Sequence, residues 1–194
     1  KSNRMARRFG VHVPPYETRD TLTRLAQDLE TTGARQVVCL GDSFDDLAAA
    51  DAMHEEDRAW ITRLQAGRLW VWIEGNHDPG PLDLGGTRLD HLRIDALTFR
   101  HIAEASGTGE VSGHYHPKVQ VPLRGRMISR PAFLLDPQRL IMPAYGTYTG
   151  GLRSTEPALS NLMMPKATAI LTGGVPHQVP MPTSGIPISS TAGK

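Results

Sequence analysis

Two short apolar runs constrain the fold of this chain more than any other feature: VVCL at residues 37–40 and LWVWI at residues 69–73. Runs of this length, rich in β-branched and aromatic residues, are typical of buried strands. Apolar residues recur at helical spacing over residues 17–32, ahead of the first run, and over residues 54–66, between the two runs. A strand, helix, strand order predicts the α/β class of fold, because parallel strands need a crossover connection.

The chain changes character beyond Pro79, where helical periodicity is absent and short strand candidates are separated by Gly, Pro and Asp. These candidates cover residues 90–94, 96–101, 109–113, 118–122, 126–135 and 139–143. The helical front half and the β-rich back half together predict an α/β fold with two packed mixed β-sheets flanked by helices.

The length of 194 residues suits one domain with a sizeable core, which we assign to residues 1–175. From Pro165 onward charged residues nearly vanish, and Pro, Gly, Ser and Thr dominate apart from a strand candidate at residues 167–171. We therefore expect residues 176–194 to form a flexible tail.

The formal net charge of +1 excludes strong attraction of the whole molecule to polyanions, so any contact with nucleic acid has to depend on local patches. Two such patches are Lys1, Arg4, Arg7 and Arg8, and Arg124, Arg126 and Arg130. An ordinary solvated face is the more frequent explanation of each patch.

Cys39 is the single cysteine and lies within the first apolar run, which predicts a small core residue. Because one cysteine excludes a disulfide framework, a reducing compartment such as the cytoplasm is favoured. No apolar run approaches the about 20 residues that cross a bilayer, so we expect no membrane segment.

Polar residues with metal-binding side chains follow four of the predicted strands. The first strand ends in GDSFDD, the second in GNHD, a third at His101 and a fourth in GHYHP. Ligands bind at the carboxyl ends of strands in open α/β sheets, because the loops converge there. A single Asp after a strand is usually a turn residue or a helix cap, whereas four such ends together indicate a site.

His114 and His116 are separated by one residue, so in an extended backbone both rings point the same way, and Pro117 ends the strand. The candidate ligands at the four strand ends are Asp42, Asn76, His101, His114 and His116. An oxygen and nitrogen set without thiolate suits Mn²⁺, Fe or Zn²⁺. The remaining histidines are interpreted as structural or solvated: His12, His54, His91 and His177.

These motifs, in this order, resemble the calcineurin-like metallophosphoesterases. The front segment MARRFGVHVPPYETRDTL and the back segments RPAFLLD and RLIMPAYGTYTGGL are similar to one bacterial branch, the DNA ligase-associated metallophosphoesterases, proposed as DNA-damage-response endonucleases. The resemblance covers most of the chain up to about Leu152.

The resemblance implies two divalent metal ions in the complete protein, with Mn²⁺ favoured over Zn²⁺ or Fe. Asp42 would bridge the two ions. Asn76, His101 and His114 would complete the shell of one ion, and His116 would bind the other. His77 would protonate the leaving oxygen of the phosphoester, with Asp78 orienting its ring.

One departure from the family pattern concerns the start of the fold. Members begin with a strand ending in Asp-x-His, and no such motif precedes Asp42 here. His12 is followed by Val-Pro-Pro, which is the wrong context. We therefore expect the first strand to be missing, and this chain by itself to be weakly active or inactive.

The resemblance implies a two-metal phosphodiesterase acting on DNA or a nucleotide ester in a repair setting with a DNA ligase or helicase. One alternative is a phosphatase or cyclic-nucleotide phosphodiesterase with a small substrate. Another is a catalytically inactive binding scaffold of the same fold. His77 argues against the scaffold, because a scaffold does not need a proton donor.

Overall fold

The computed structural model describes residues 17–44, 53–76, 84–123, 125–146 and 149–182. The helices are α1 (Glu17–Thr32), α2 (Glu55–Gln65) and α3 (Pro157–Ser160). The strands are β1 (Gln36–Cys39), β2 (Leu69–Ile73), β3 (Thr87–Leu89), β4 (His91–Ile94), β5 (Leu97–Arg100), β6 (Glu110–Ser112), β7 (Lys118–Leu123), β8 (Arg126–Leu135), β9 (Arg139–Ile141), β10 (Thr168–Leu171) and β11 (His177–Pro180).

A parallel three-stranded sheet in the order β1-β2-β3 contains both apolar runs. Its register pairs Val38 with Val71 and Cys39 with Trp72. The carboxyl ends of β1 and β2 therefore lie side by side. Strand β3 was not expected, because TRL is short and mostly polar and has no apolar run to indicate a strand.

Aromatic and aliphatic side chains of α1, α2 and β2 form the core beside this sheet. The rings of Trp70 and Trp72 are 5.7 Å apart, and Trp72 Nε1 donates to the Gly85 carbonyl at 2.8 Å. Leu29 of α1 and Ile61 of α2 are buried in the same cluster. The helical spacing of apolar residues in both helices thus corresponds to the faces that they bury.

The second sheet has eight strands, in the order β11-β10-β8-β9-β6-β5-β4, with β7 paired to β8. Strand β6 is parallel to β9, whereas β8 is antiparallel to β7, β9 and β10. Val119, Leu134 and Ile141 are completely buried in its core. A mixed α/β fold with two sheets and few helices confirms the predicted fold class.

Residues 177–180, within the segment whose composition predicts a tail, form β11 and pair with β10. Val179 packs against the core and Met181 is buried, so these two apolar side chains hold the strand in place. Residues 183–194 lie outside the described residues. The single domain over residues 1–175 stays a prediction.

The chain forms two compact units. One comprises the described residues up to Leu92, together with Phe99–His101 and the described residues of Tyr145–Thr149. The other comprises Arg93–Thr98, Ile102–Ala144 and the described residues from Gly150 onward. No helix among the described residues is long and apolar enough to cross a membrane.

Candidate metal centre

Three strand ends meet at Gly41, the second residue after β1. Its φ is +84°, and a Cβ at this position would lie 2.5 Å from His101 Nδ1 and 2.9 Å from Gly75 Cα. Real Cβ atoms do not approach other atoms so closely, so only glycine fits here. Gly41 therefore lets the turn after β2 and the residue after β5 reach the end of β1. Sequence reasoning did not single out this glycine, although it precedes a candidate ligand directly.

His101 is only 6% exposed, and one nitrogen of its ring is hydrogen-bonded to the backbone. Its Nδ1 lies 2.7 Å from the Leu40 carbonyl oxygen. Because a carbonyl only accepts, Nδ1 must carry the proton and donate. In the neutral ring Nε2 is then the acceptor nitrogen, which is the arrangement usual for metal-binding histidines whose other nitrogen donates to a backbone carbonyl.

The other side of the His101 ring faces Asp42. The distance from Nε2 to Asp42 Oδ2 is 3.3 Å, and both side chains are largely buried. Two acceptor atoms face each other there unless a cation, either a proton or a metal ion, is shared between them. Two ligand atoms about 2.1 Å from one ion, at about 90 to 110° to each other, are about 3.0 to 3.4 Å apart. The observed separation fits that geometry.

Asp42 and His101 both belong to the first of the two compact units, and each offers one ligand atom to a metal ion. A carboxylate oxygen beside an imidazole nitrogen suits Mn²⁺, Fe or Zn²⁺. His114 and His116 belong to the second unit, so their part in the site stays a prediction.

Three predicted ligands have left-handed backbone conformations: φ is 49° at Asp42, 59° at His114 and 48° at His116. Asp95 and Lys166 are the other non-glycine residues of this kind in the described part of the chain. The conformation costs roughly 1–2 kcal/mol per residue, although Asp and His adopt it more readily than most. Such strain tends to cluster at functional sites.

The expectation of an extended backbone through His114 and His116 is wrong. Strand β6 already ends at Ser112, and the chain then turns, with the Tyr115 N–H donating to the Gly113 carbonyl at 2.7 Å. The His116 carbonyl is approached so closely that a Cβ on Gly151 would lie 2.0 Å from it. Tight turns and a long-range backbone contact, rather than strand alternation, therefore orient these histidines.

Asn76 is exposed and follows the end of β2 by three residues. The remaining two predicted site residues, His77 and Asp78, lie outside the described residues. The roles of all three residues therefore stay predictions.

Three of the histidines interpreted as structural or solvated lie in the described part of the chain. His91 is exposed and lies 2.9 Å from Asp90, where its hydrogen bond lowers the pKa of that carboxyl. His54 precedes α2, and His177 is the exposed first residue of β11. His12 lies outside the described residues.

An α/β fold with two sheets, and an Asp42–His101 pair at the strand ends, are consistent with a metallophosphoesterase-like protein. No family model matches the sequence, and no curated protein matches it. A solved structure that is similar to this chain is the crystal structure of Pseudomonas putida nuclease MPE. The TM-score is 0.63 at 28% sequence identity, over 79% of this chain and 75% of that chain. This similarity supports a protein of the metallophosphoesterase kind, but it does not support assignment to the DNA ligase-associated branch.

Proposed function

We propose that this protein is a metal-dependent phosphodiesterase of the nuclease type, with DNA or another nucleotide polymer as substrate. The observation that carries the proposal is the His101 ring, which has its Nδ1 hydrogen-bonded to Leu40 and its Nε2 facing Asp42. The likeness to a solved nuclease supports the reaction class.

The proposed ligands are divided between two ions. Asp42 would be shared by both ions, Asn76, His101 and His114 would hold one of them, and His116 would hold the other. Divalent ions held by these residues would supply charge stabilisation at the phosphoryl oxygens and lower the pKa of a bound water to near neutral pH. The His101–Asp42 pair supports this assignment of ligands. Burial of the pair excludes competing water, and the hydrogen bond from His101 to the Leu40 carbonyl fixes the orientation of the ring.

His77 is the proposed general acid. It follows the proposed ligand Asn76 directly, so a ligand and a proton donor would share one turn after β2. His77 would protonate the leaving oxygen, and Asp78 would orient its ring. General acid catalysis of this kind contributes about 10²- to 10⁴-fold to the rate.

The finer features of the proposal come from the motif resemblance and the composition. Mn²⁺ is the favoured ion, since the ligand set has no thiolate. The single cysteine favours the cytoplasm. A repair setting with a DNA ligase or helicase is proposed from the branch resemblance.

The direct test is metal titration together with a hydrolysis assay on the full-length protein. Metal-stripped protein is titrated with Mn²⁺ by calorimetry and assayed on bis(p-nitrophenyl) phosphate and on a labelled DNA duplex. We expect Asp42→Asn and His101→Gln to weaken Mn²⁺ binding more than the about 10- to 100-fold typical of residues that only support ligands. Hydrolysis of both substrates should be lost together with Mn²⁺ binding.

Matched controls separate ligand loss from general damage. Asp95→Asn is the control for Asp42→Asn, because Asp95 has a similar φ of 51° in the turn between β4 and β5. His91→Gln is the control for His101→Gln. If the controls lose as much Mn²⁺ affinity as the site variants, the assigned ligands are wrong. Hydrolysis of the small diester but not of DNA would select the small-substrate alternative, and Mn²⁺ binding without hydrolysis would select the scaffold.

A further inference from the structure

A long β-hairpin starts immediately after the GHYHP segment. Strands β7 and β8 pair in antiparallel register from Lys118 opposite Pro131 to Leu123 opposite Arg126. Six residues of β7 extend about 20 Å at about 3.3 Å per residue. The hairpin is therefore long enough to follow several nucleotides of a bound strand, since each adds about 3.4 Å along the helix axis.

The base of the hairpin is fixed to the residues that follow the candidate ligands. Pro117 is completely buried, and its carbonyl accepts a hydrogen bond from the Ala132 N–H at 3.0 Å. The Lys118 N–H donates to Leu152, and the Leu152 N–H donates to Tyr115. Because Tyr115 lies between His114 and His116, the direction of the hairpin is coupled to the backbone of both histidines.

The sequence of the hairpin contains basic residues and no acidic residue. No Asp or Glu occurs between Glu110 and Asp136. The basic residues in this interval are Lys118, Arg124, Arg126 and Arg130. The whole molecule has a net charge of only +1, so four basic residues without an acidic one make this interval a local basic patch. A polyanion is the partner that such a ribbon attracts.

Both sides of the outer half of the hairpin are open to solvent. Arg126 and Arg130 are exposed and lie four residues apart, hence on the same side of β8. Met127 lies on the opposite side and is 60% exposed. A two-stranded β-ribbon of this kind fits the major groove of duplex DNA, where arginines reach the backbone phosphates.

We infer that the β7–β8 hairpin is a nucleic-acid-binding arm whose Arg126 and Arg130 contact substrate phosphates next to the GHYHP segment. The inference depends on the proposed function for the identity of the substrate. It explains how a nearly neutral protein holds a polyanion, because a local basic patch directly follows the ligand motif. The arm distinguishes polymers from small esters, since a small diester is too short to reach it.

The test compares the double variant Arg126→Gln/Arg130→Gln with the unmodified full-length protein. Binding to a labelled DNA duplex is measured by fluorescence anisotropy in EDTA, at several salt concentrations. Each lost phosphate contact reduces the salt slope by about 0.9, so we expect a reduction of about two and at least about tenfold weaker binding. The kcat/KM for bis(p-nitrophenyl) phosphate should stay within about twofold, because electrostatic contacts remote from the reacting atoms do not affect a small ester.

Two further variants make the result specific. Arg35→Gln/Arg93→Gln removes two positive charges from exposed positions outside the hairpin and should leave the salt slope unchanged. Arg126→Lys/Arg130→Lys retains the charge and should restore most of the slope. Thermal unfolding checks that each variant folds.

Each outcome decides the inference. An unchanged slope in the hairpin variant, an equal loss in the Arg35 and Arg93 variant, or no DNA binding by the unmodified protein overturns it. Absence of hydrolysis with an intact, hairpin-dependent slope would refute the proposed function while retaining the arm. Loss of small-ester turnover in a folded hairpin variant would show that these arginines act within the catalytic centre instead.

Discussion

The Nδ1–H of His101 donates to the backbone carbonyl of Leu40, 2.7 Å away and 61 residues earlier in the chain. The hydrogen bond joins the last residue of the first apolar run to the residue that follows β5. It determines that Nε2, rather than Nδ1, faces Asp42. Because the acceptor is a backbone carbonyl, no side-chain substitution at position 40 removes the hydrogen bond. Substitution of the neighbouring glycine is therefore the direct way to disturb it.

Gly41→Ala should displace the His101 ring, because the added Cβ would lie 2.5 Å from Nδ1. We expect a loss of about 2–3 kcal/mol in the free energy of unfolding. Mn²⁺ affinity should fall about 10- to 100-fold, as for other residues that position a ligand. Urea unfolding and calorimetric titration measure the two effects. Gly67→Ala is the control, since its φ of +72° is similar and no atom lies within 4 Å of the added Cβ; equal effects at both glycines would contradict the steric explanation.

Tyr145 should make stability depend on pH in the alkaline range. Burial, and then its hydrogen bond to the Asp28 carboxylate, raise the pKa of Tyr145 to about 12. The pKa in the folded state is above the ordinary value of 10, so this contribution is fully present below pH 10 and is lost as the pH rises towards 12. Tyr145→Phe should remove that pH dependence, measured by urea unfolding between pH 9 and about 12.

Asp28→Asn provides the second half of this experiment. It should lower the pKa of Tyr145 in an absorbance titration of tyrosinate, because the carboxylate disfavours the phenolate. Asp20→Asn, at an exposed position of the same helix, should leave the titration of Tyr145 unchanged. A shift of equal size in both variants would mean that overall charge, rather than the hydrogen bond, raises the pKa of Tyr145.

Among the described arginines, Arg139 should be the one whose substitution lowers the free energy of unfolding most. It is 3% exposed and donates to the carbonyls of Glu104 at 2.8 Å and Gly107 at 2.9 Å, beside the carboxylate of Glu110. Arg139→Met leaves a buried carboxylate without its cation, so we expect a loss of about 3–5 kcal/mol in the free energy of unfolding. Tryptophan fluorescence in a urea titration measures it.

The control for Arg139 is an arginine in an exposed ion pair. Arg153→Met removes the Arg153–Glu156 pair and should cost less than about 1 kcal/mol. If the two substitutions destabilise the protein equally, the carbonyl contacts of Arg139 do not hold the segment that follows His101.

His77→Ala in the full-length protein should retain Mn²⁺ binding and lower turnover by about 10²- to 10⁴-fold on esters with poor leaving groups. The loss should be smaller for p-nitrophenyl esters, because p-nitrophenolate leaves without a proton. The measurement is kcat for matched alkyl and p-nitrophenyl diesters, with His54→Ala as the control. An equal loss on both esters would exclude the acid role.

Local sequence pattern was sufficient for the elements that bury a regular apolar face. The spacing in residues 17–32 predicted α1 with its observed bounds, and LWVWI predicted β2, because burial of one face imposes a period that neighbouring residues reveal. The motif order also indicated that Asp42 and His101 lie at neighbouring strand ends, as the 3.3 Å distance between their side chains shows.

Only the tertiary structure decided the features that depend on residues distant in sequence. The left-handed turns at His114 and His116, the strands β3 and β11 and the burial of Arg139 arise from contacts that no local period encodes. The orientation of His101 is the clearest case, because a carbonyl 61 residues away determines it. The sequence thus determines the residue types at the site. The backbone carbonyl that sets the protonated nitrogen and the ring orientation of His101 is present in any sequence, and only the fold brings it to the ring.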